Sequence, residues 1–129
     1  FLSIDLKEAR VAYQDRYSSN VDLIKRMKED EGLSNAGFAM TLGPSGSYYV
    51  PKGRKTEILT PAFAQGVVDA LGAGDAFFSL SSVLIKVGCP DPLVPFLSNL
   101  FAGIKTKIIG NKTAVTRAQL LKAATSVLK

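Results

Sequence analysis

The chain has 129 residues, which suits one ordinary domain with its own core and is short for two. A hydrophobic content of 47% with 21% charged residues is typical of a globular protein and excludes a disordered tail. The sequence has no histidine and no tryptophan, so histidine-based triads and imidazole metal ligands are excluded. The single Cys89 excludes an internal disulfide and a paired-cysteine zinc or redox site, and we expect a reducing, cytoplasmic location.

The net charge of +5 comes mainly from the second half of the chain. Residues 1–66 carry nine basic against eight acidic side chains, whereas residues 67–129 carry seven against three. Such an excess suits a phosphate-bearing small molecule or a nucleic acid, although many proteins show it by chance. We expect a small-molecule ligand and no nucleic acid. The longest uncharged stretch, residues 32–51, contains glycines and prolines that exclude a membrane helix, so we expect no membrane partner.

The first half of the sequence predicts alternating helices and strands. Residues 1–4 predict the end of a strand, and apolar residues at helical spacing predict a helix from Asp5. Asn20 is a candidate cap for a second helix, whose apolar stripe, with Val21 on it, continues towards Gly32. Three strands then follow, at residues 36–42, 47–50 and 55–59, and a tight Gly-Pro-Ser-Gly turn joins the first two.

The second half predicts three helices. The first begins at Gly72 and is apolar on nearly every side, which predicts deep burial. Asp91 is a candidate cap for the second helix, which the apolar spacing continues to residue 109. Thr116 and Gln119 predict a capping box at the start of the last helix. Strands and helices that alternate early, followed by helices, favour an α/β layered domain.

The segment before the first of these helices carries the clearest chemical signal. Residues 67–77 read VVDALGAGDAF, a short apolar run, two glycines and then a hydrophobic helix with an aspartate in its first turn. Backbone N–H groups of Gly72, Ala73 and Gly74 can surround an anion such as a phosphate, and the helix dipole favours it. Asp75 lies beside this anion hole, where it could take a proton from an attacking hydroxyl or could simply favour the helix N-terminus.

Residues 69–75, DALGAGD, resemble the D-T-x-G-A-G-D signature of the ribokinase-like, or PfkB-type, carbohydrate kinases. Only Ala70 departs from the signature, since the family usually has threonine there. The apolar run before the signature is expected to be a strand and the segment after it a helix, as the family requires. Residues 41–46, TLGPSG, look like the family's T-x-G-x-x-G nucleotide loop, although as a plain pattern they would be a hairpin turn. Residues 108–116 look like the end of the heptose-phosphate kinase branch of the family.

The resemblance implies a fold, a reaction and a set of site residues. Residues 1–129 would be the C-terminal part of a longer kinase domain, with the C-terminal portion of a ribokinase-like layered sheet and flanking helices, and the N-terminal part would lie outside them. The kinase would transfer a phosphoryl group from ATP to a hydroxyl of a sugar or sugar phosphate. Asp75 would be the catalytic base. The anion hole would be Gly72, Ala73 and Gly74, and the nucleotide would contact Thr41, Gly43, Gly46 and Asn99.

The resemblance also implies two ions. Residues 5–8, DLKE, are similar to the family's N-x-x-E element, so Glu8 would help to place Mg²⁺ through water. Without the resemblance, two acids at this spacing are usually a solvated helix face. Asp69, with carbonyl groups near Leu71, is the candidate site for a monovalent cation, with K⁺ as the candidate ion.

Two alternatives to a sugar kinase stay open at this point. One is a nucleotide-binding or interaction module without catalysis, and the other is a pyridoxal-type vitamin kinase of the same superfamily. Because a ribokinase-like sheet continues into strands before Phe1, we expect the isolated chain to expose a strand edge and either to self-associate or to be only marginally stable. We also expect it to phosphorylate no sugar by itself, because the acceptor pocket of the family lies in that earlier part.

Overall fold

The computed structural model describes residues 1–110 and 112–129, and the chain divides into two compact units. The first unit is Phe1–Thr60 and the second is Pro61–Lys129. The first contains a sheet with helices, and the second contains three long helices. The predicted α/β class is therefore confirmed. No helix among the described residues is long and apolar enough to cross a membrane.

The first unit is built on a four-stranded sheet with the order β1-β2-β3-β4. The strands are β1 (Leu2–Asp5), β2 (Phe38–Thr41), β3 (Ser47–Val50) and β4 (Ile58–Thr60). β1 pairs with β2 in parallel, and the other two pairs of neighbours are antiparallel. All of the predicted strands of this unit form, and only β4 begins clearly later than expected, at residue 58 instead of 55.

Three helices connect β1 to β2, namely α1 (Leu6–Ala12), α2 (Asn20–Glu29) and α3 (Glu31–Ala36). Ser19 caps α2 in place of the predicted Asn20, because the Ser19 hydroxyl accepts the N–H of Asp22 at 3.0 Å. The predicted continuation of α2 to Gly32 is wrong. Asp30 ends α2, and its carboxylate accepts backbone N–H groups of the next turn and starts α3.

The core of the first unit brings together α1, α2 and residues of alternate positions on β2 and β3. Alternation places these strand residues on one face of the sheet. Val21 is exposed, contrary to expectation, because Leu23 takes its place in the buried stripe of α2. Each large apolar side chain contributes about 1.5–3 kcal/mol when it is fully buried. The core residues are Ala9, Leu23, Ile24, Met27, Phe38, Met40, Tyr48 and Val50.

The second unit holds α4 (Ala73–Lys86), α5 (Leu93–Lys105) and α6 (Arg117–Leu128). α5 packs against both α4 and α6. Small side chains let α4 and α5 approach closely, since the buried hydroxyls of Ser81 and Ser98 lie 2.9 Å apart. The predicted capping box of α6 is confirmed, because the Gln119 N–H donates to the Thr116 hydroxyl and the Thr116 N–H donates to the Gln119 side chain.

Two expectations for the helices of the second unit are wrong. α4 is not buried on every side, because Phe78, Val83 and Val87 are exposed. α5 is shorter than expected at both ends: Pro92, and not Asp91, lies at its cap position, and it ends at residue 105 instead of 109. The chain leaves α5 at that point. The carbonyl group of Thr106, the residue after the helix, accepts backbone N–H groups of the loop that leads to α4.

Candidate active site

The predicted site residues divide between the two units. Glu8, Thr41, Gly43 and Gly46 lie in the first unit. The second unit contains Asp69, Asn99 and the turn from Gly72 to Asp75. Each unit therefore contributes its own group of candidate residues.

The predicted nucleotide loop lies where β2 ends. Thr41 is the last residue of β2, and residues 43–45 form a short 3-10 turn that leads into β3. Gly43 and Gly46 both have positive φ angles, 57° and 101°, which disfavour any residue with a side chain. The loop is closed by the Leu42 N–H, which donates to the Gly46 carbonyl group at 2.8 Å. The two glycines thus hold a tight, backbone-lined turn between two strands, as predicted.

The acidic pair of the first unit lies at the same edge of the sheet. Asp5 is the last residue of β1 and is the register partner of Thr41 on β2. Asp5 and Glu8 form a capping box at the start of α1, with hydrogen bonds of 2.8 Å and 3.0 Å between side chains and backbone N–H groups. Ligands of α/β proteins bind at the carboxyl ends of parallel strands, which is where this pair lies.

The capping box limits how Glu8 could contribute to magnesium binding. The box uses one oxygen of each carboxylate, and both side chains are exposed. Among the described residues no group of three acidic, cysteine or histidine side chains is arranged to hold a metal directly. Mg²⁺ commonly keeps several of its waters and takes few protein ligands. The acidic edge therefore fits a water-mediated contact and does not fit a closed protein cage.

In the second unit the residues predicted to form an anion hole lie at the first turn of α4. Gly72 is the N-cap residue and has a left-handed backbone with φ of 80°, a conformation that favours glycine. Gly74 lies within the first turn, and a Cβ atom at this position would meet no atom within 4 Å. The first N–H groups of a helix have no partner within the helix. In this turn the N–H of Ala73 donates instead to the carbonyl group of Ala70 in the preceding loop, at 3.2 Å. Asp75 follows in the same turn with an exposed side chain.

The loop that leads to this turn is held by α5 and is not the strand that the sequence predicted. Residues 61–72 have neither strand nor helix, and the Val67 and Val68 side chains are exposed. The ring of Phe63 packs edge-on against Phe96 of α5, with ring centroids 5.3 Å apart. The backbone at Phe63 also lies against Gly103, where a Cβ atom would come within 3.3 Å of it. The apolar run is therefore part of a loop that packs against α5.

Asp69 fixes the last part of this loop. Its backbone N–H donates to the carbonyl group of Thr106 at 2.9 Å. Its carboxylate accepts the N–H of Gly110 at 2.8 Å with one oxygen and the N–H of Leu71 at 2.9 Å with the other. These two hydrogen bonds, with the charge of Lys105 nearby, hold the pKa of Asp69 below its usual value. Asp69 therefore connects the end of α5 to the turn that starts α4.

The monovalent cation predicted at Asp69 fits this arrangement poorly. Both carboxylate oxygens already accept backbone N–H groups, which compete with a cation for them. Of the carbonyl groups near Leu71 that belong to the predicted site, that of Ala70 accepts the Ala73 N–H at 3.2 Å. The carbonyl group of Gly110, whose N–H contacts Asp69, accepts a hydrogen bond from the Lys105 ammonium group. The cation at Asp69 remains a prediction, and the described contacts give the carboxylate a loop-holding role instead.

Asn99, the fourth residue predicted to contact the nucleotide, lies in the middle of α5. It is buried, with 7% of its surface exposed, so it does not lie on an exposed polar face of the helix. Its side-chain amide donates to the carbonyl group of Pro95 one turn earlier at 2.9 Å. A buried amide that bonds its own helix has a structural role at least, and its contact with a nucleotide stays a prediction.

Sequence reasoning missed the lysine and the glycine that complete the loop around Asp69. Gly110 contacts Asp69 across 41 positions of the chain, and no local pattern encodes such a contact. Lys105 carried one signal, since it is a single charge within a strongly apolar helix and such charges are seldom buried without a partner. For Asp5 and Glu8 the spacing of an acid three residues after a helix cap was a signal for the capping box.

Comparisons with known proteins give a family match and matches to solved structures. The family model of the pfkB family carbohydrate kinases matches residues 3–81, which is more than half of the chain. No curated protein matches the sequence.

Among solved structures, a protein described as a ribokinase from Agrobacterium tumefaciens matches 98% of this chain at 20% identity with a TM-score of 0.86. The Arabidopsis thaliana ribokinase, solved with ribose and ATP, matches 95% at 20% identity with a TM-score of 0.79. The adenosine kinase of Sinorhizobium meliloti matches 98% at 25% identity with a TM-score of 0.75. The chain spans 40%, 40% and 36% of these three proteins.

Proposed function

We propose that this chain, which belongs to the pfkB family of carbohydrate kinases, serves the transfer of a phosphoryl group from ATP to a hydroxyl of a sugar or sugar phosphate. We further propose that it does so as the C-terminal part of a longer kinase, since it spans about two fifths of the similar kinases. The observation that carries the proposal is the first turn of α4, where Gly72, Gly74 and Asp75 combine backbone donors, open space and an exposed carboxylate.

In this proposal the acceptor hydroxyl attacks the terminal phosphorus of ATP while Asp75 takes the proton of that hydroxyl, and ADP leaves. The backbone N–H groups of Gly72 and Gly74 donate to the phosphoryl oxygens, on which charge is spread during the transfer. The positive end of the α4 dipole adds to this stabilisation. A side chain at position 74 would fill the space that the phosphoryl group needs, and glycine leaves this space open.

The nucleotide-binding part of the proposal rests on the loop after β2. Gly43 and Gly46 give a turn without side chains, which lets a nucleotide approach the backbone, and Thr41 borders it at the strand end. Magnesium, when bound, would neutralise charge on the ATP phosphates. Glu8 would contribute to its placement through water, because the capping box uses only one of its oxygens. Asn99 is proposed as a further neighbour of the nucleotide.

The acceptor class comes from the family and from similar proteins. The Arabidopsis relative was solved with ribose, and the Sinorhizobium relative is an adenosine kinase, so both are associated with sugar-containing compounds. A heptose phosphate stays a narrower prediction, and Asn111 of the segment that suggested it lies outside the described residues. The cytoplasm stays the proposed compartment on the strength of the single cysteine.

The test uses the full-length protein with a panel of sugars and sugar phosphates and follows ADP release. Asp75→Asn is expected to bind a non-hydrolysable ATP analogue with unchanged affinity while turnover falls by roughly a hundredfold or more, the usual effect of losing a general base. Asp22→Asn is the matched control, because Asp22 is also an exposed acid in the first turn of a helix. Near-normal turnover of Asp75→Asn would remove Asp75 from the mechanism. A wild-type protein that binds the analogue but phosphorylates nothing would favour a binding module.

A further inference from the structure

A lysine is buried at the end of α5. Lys105 is the last residue of that helix and only 9% of it is exposed, which is uncommon for lysine. Its ammonium group donates to the carbonyl group of Gly110. Burial of an ammonium group is unfavourable unless hydrogen bonds and an opposite charge compensate for the lost water. The surroundings of Lys105 must therefore provide both.

The opposite charge is that of Asp69. Gly110 donates its N–H to the Asp69 carboxylate at 2.8 Å and accepts the Lys105 ammonium group at its carbonyl oxygen, so the two charged side chains bind the same residue. The electrostatic influence of Lys105 also contributes to the low pKa of Asp69, after the hydrogen bonds from Gly110 and Leu71. A positive charge thus acts on the carboxylate for which the resemblance implied a monovalent cation, and Gly110 connects the two side chains.

From this arrangement we infer that the Lys105 ammonium group supplies, from within the chain, the positive charge that a bound monovalent cation was predicted to supply at Asp69. The inference rests on the proposed function. A cation at the same place would need oxygen ligands, but the Gly110 carbonyl group already accepts the ammonium group. It would also be repelled by that group at short range. The kinase is therefore expected to act without a requirement for K⁺.

The position of Lys105 connects this charge to the anion hole. The Asp69 carboxylate that Lys105 supports also accepts the N–H of Leu71 at 2.9 Å, and Leu71 directly precedes the cap residue of α4. The charge of Lys105 stabilises this loop. It thereby also keeps the backbone N–H groups of the α4 turn in the arrangement proposed for phosphate binding. Lys105 is thus a positioning residue, because it acts through Gly110 and Asp69 on the binding turn.

The first experiment compares ions on the full-length wild-type protein. Thermal stability and the Kd for ADP with magnesium are measured in potassium, sodium and tetramethylammonium chloride at equal ionic strength. The expected result is that the Kd agrees within about twofold in the three salts and that Tm shows no potassium-specific rise. An increase of several-fold in ADP affinity, or a rise in Tm, that only potassium produces would overturn the inference. If ADP binds in none of the salts, the proposed function fails, while the Tm comparison still decides the inference.

The second experiment removes the charge. Lys105→Met is expected to weaken ADP binding by roughly tenfold in tetramethylammonium and to gain a potassium response that restores part of this loss. Lys105→Arg, which keeps the charge, is expected to stay independent of potassium. Lys107→Met is the matched control, since it removes an exposed lysine two residues further along. A folded Lys105→Met protein with the same ion response as Lys107→Met would overturn the inference. If Lys105→Met does not fold, the wild-type ion comparison remains decisive.

Discussion

The proposed anion hole predicts that Gly74→Val changes the affinity for phosphate-bearing ligands and the stability of the protein independently of each other. A Cβ atom at Gly74 meets no atom within 4 Å, and Gly74 is not among the glycines with positive φ. Valine is a better helix former than glycine by a few tenths of a kcal/mol, so we expect Tm to stay constant or to rise by about 1 °C. The same side chain fills the space in front of the backbone N–H groups, which should weaken phosphate binding.

The expected loss of affinity follows from the hydrogen bonds at stake. A hydrogen bond to a charged group contributes roughly 1.5–3 kcal/mol. Displacing a phosphate from one such donor therefore raises the Kd for ADP by roughly ten- to a hundredfold. Isothermal titration calorimetry on the full-length protein measures the Kd, and differential scanning calorimetry measures Tm. Gly74→Ala, with a smaller side chain, should give an intermediate Kd.

Gly72→Ala is the complementary variant. The left-handed backbone at Gly72, with φ of 80°, costs a residue with a side chain about 1–2 kcal/mol, so Tm should fall by several degrees. An unchanged Kd for Gly74→Val would place the phosphate elsewhere in the molecule. A large loss of stability in Gly74→Val would contradict the open space at that position.

Three further predictions concern the loop, the acid side of the stability curve and the isolated chain. Gly103→Ala should lower Tm and weaken ADP binding, because its Cβ atom would come within 3.2 Å of the Ala64 backbone. Overpacking of this kind costs about 1–3 kcal/mol of stability. A higher Tm would refute this prediction. Hydrogen bonds from Ser18, supported by Arg26, lower the pKa of Asp15 from 3.8 to about 2. The stability that the Asp15 carboxylate contributes is therefore present above pH 3.8 and is lost as the pH falls towards 2. Urea unfolding between pH 2 and pH 5 should therefore show a shallower decline for Asp15→Asn than for the wild type, and equal slopes would count against it. The 129-residue chain alone should self-associate in light scattering or be only marginally stable, because β1 is an edge strand. It should phosphorylate no sugar, because the acceptor pocket is expected outside it, and a stable, active monomer would contradict both parts.

Features encoded by neighbouring residues could be predicted from the sequence. β3 forms at residues 47–50 as expected, because a glycine and proline turn and a β-rich segment specify it locally. The capping box at Thr116 was predictable for the same reason. The break between α2 and α3 was not, because the charged segment around Asp30 continues a helical pattern and only the side chain's bonds to the next turn show where it ends.

The candidate site was predictable in part. The turn from Gly72 to Asp75 was identified from residue types that favour an anion at a helix start, and the structure gives that turn the expected backbone. The loop before it was expected to be a strand, because its apolar residues look like a buried run. Contacts of that loop with α5, such as Phe63 on Phe96, join residues far apart in the chain, and these contacts cannot be inferred from local composition.

The connectivity of the sheet also sets an expected order of folding. β2 and β3 are joined by the short turn at residues 42–46, whereas residues 6–37 separate β1 from β2. Closing a short loop loses less chain entropy than closing a long one, so the β2-β3 hairpin should form early and serve as a template for β1. Substitutions in the hairpin turn should slow refolding, while substitutions in β1 should mainly speed unfolding. During synthesis on the ribosome, β1 would therefore stay unpaired until β2 and β3 have emerged.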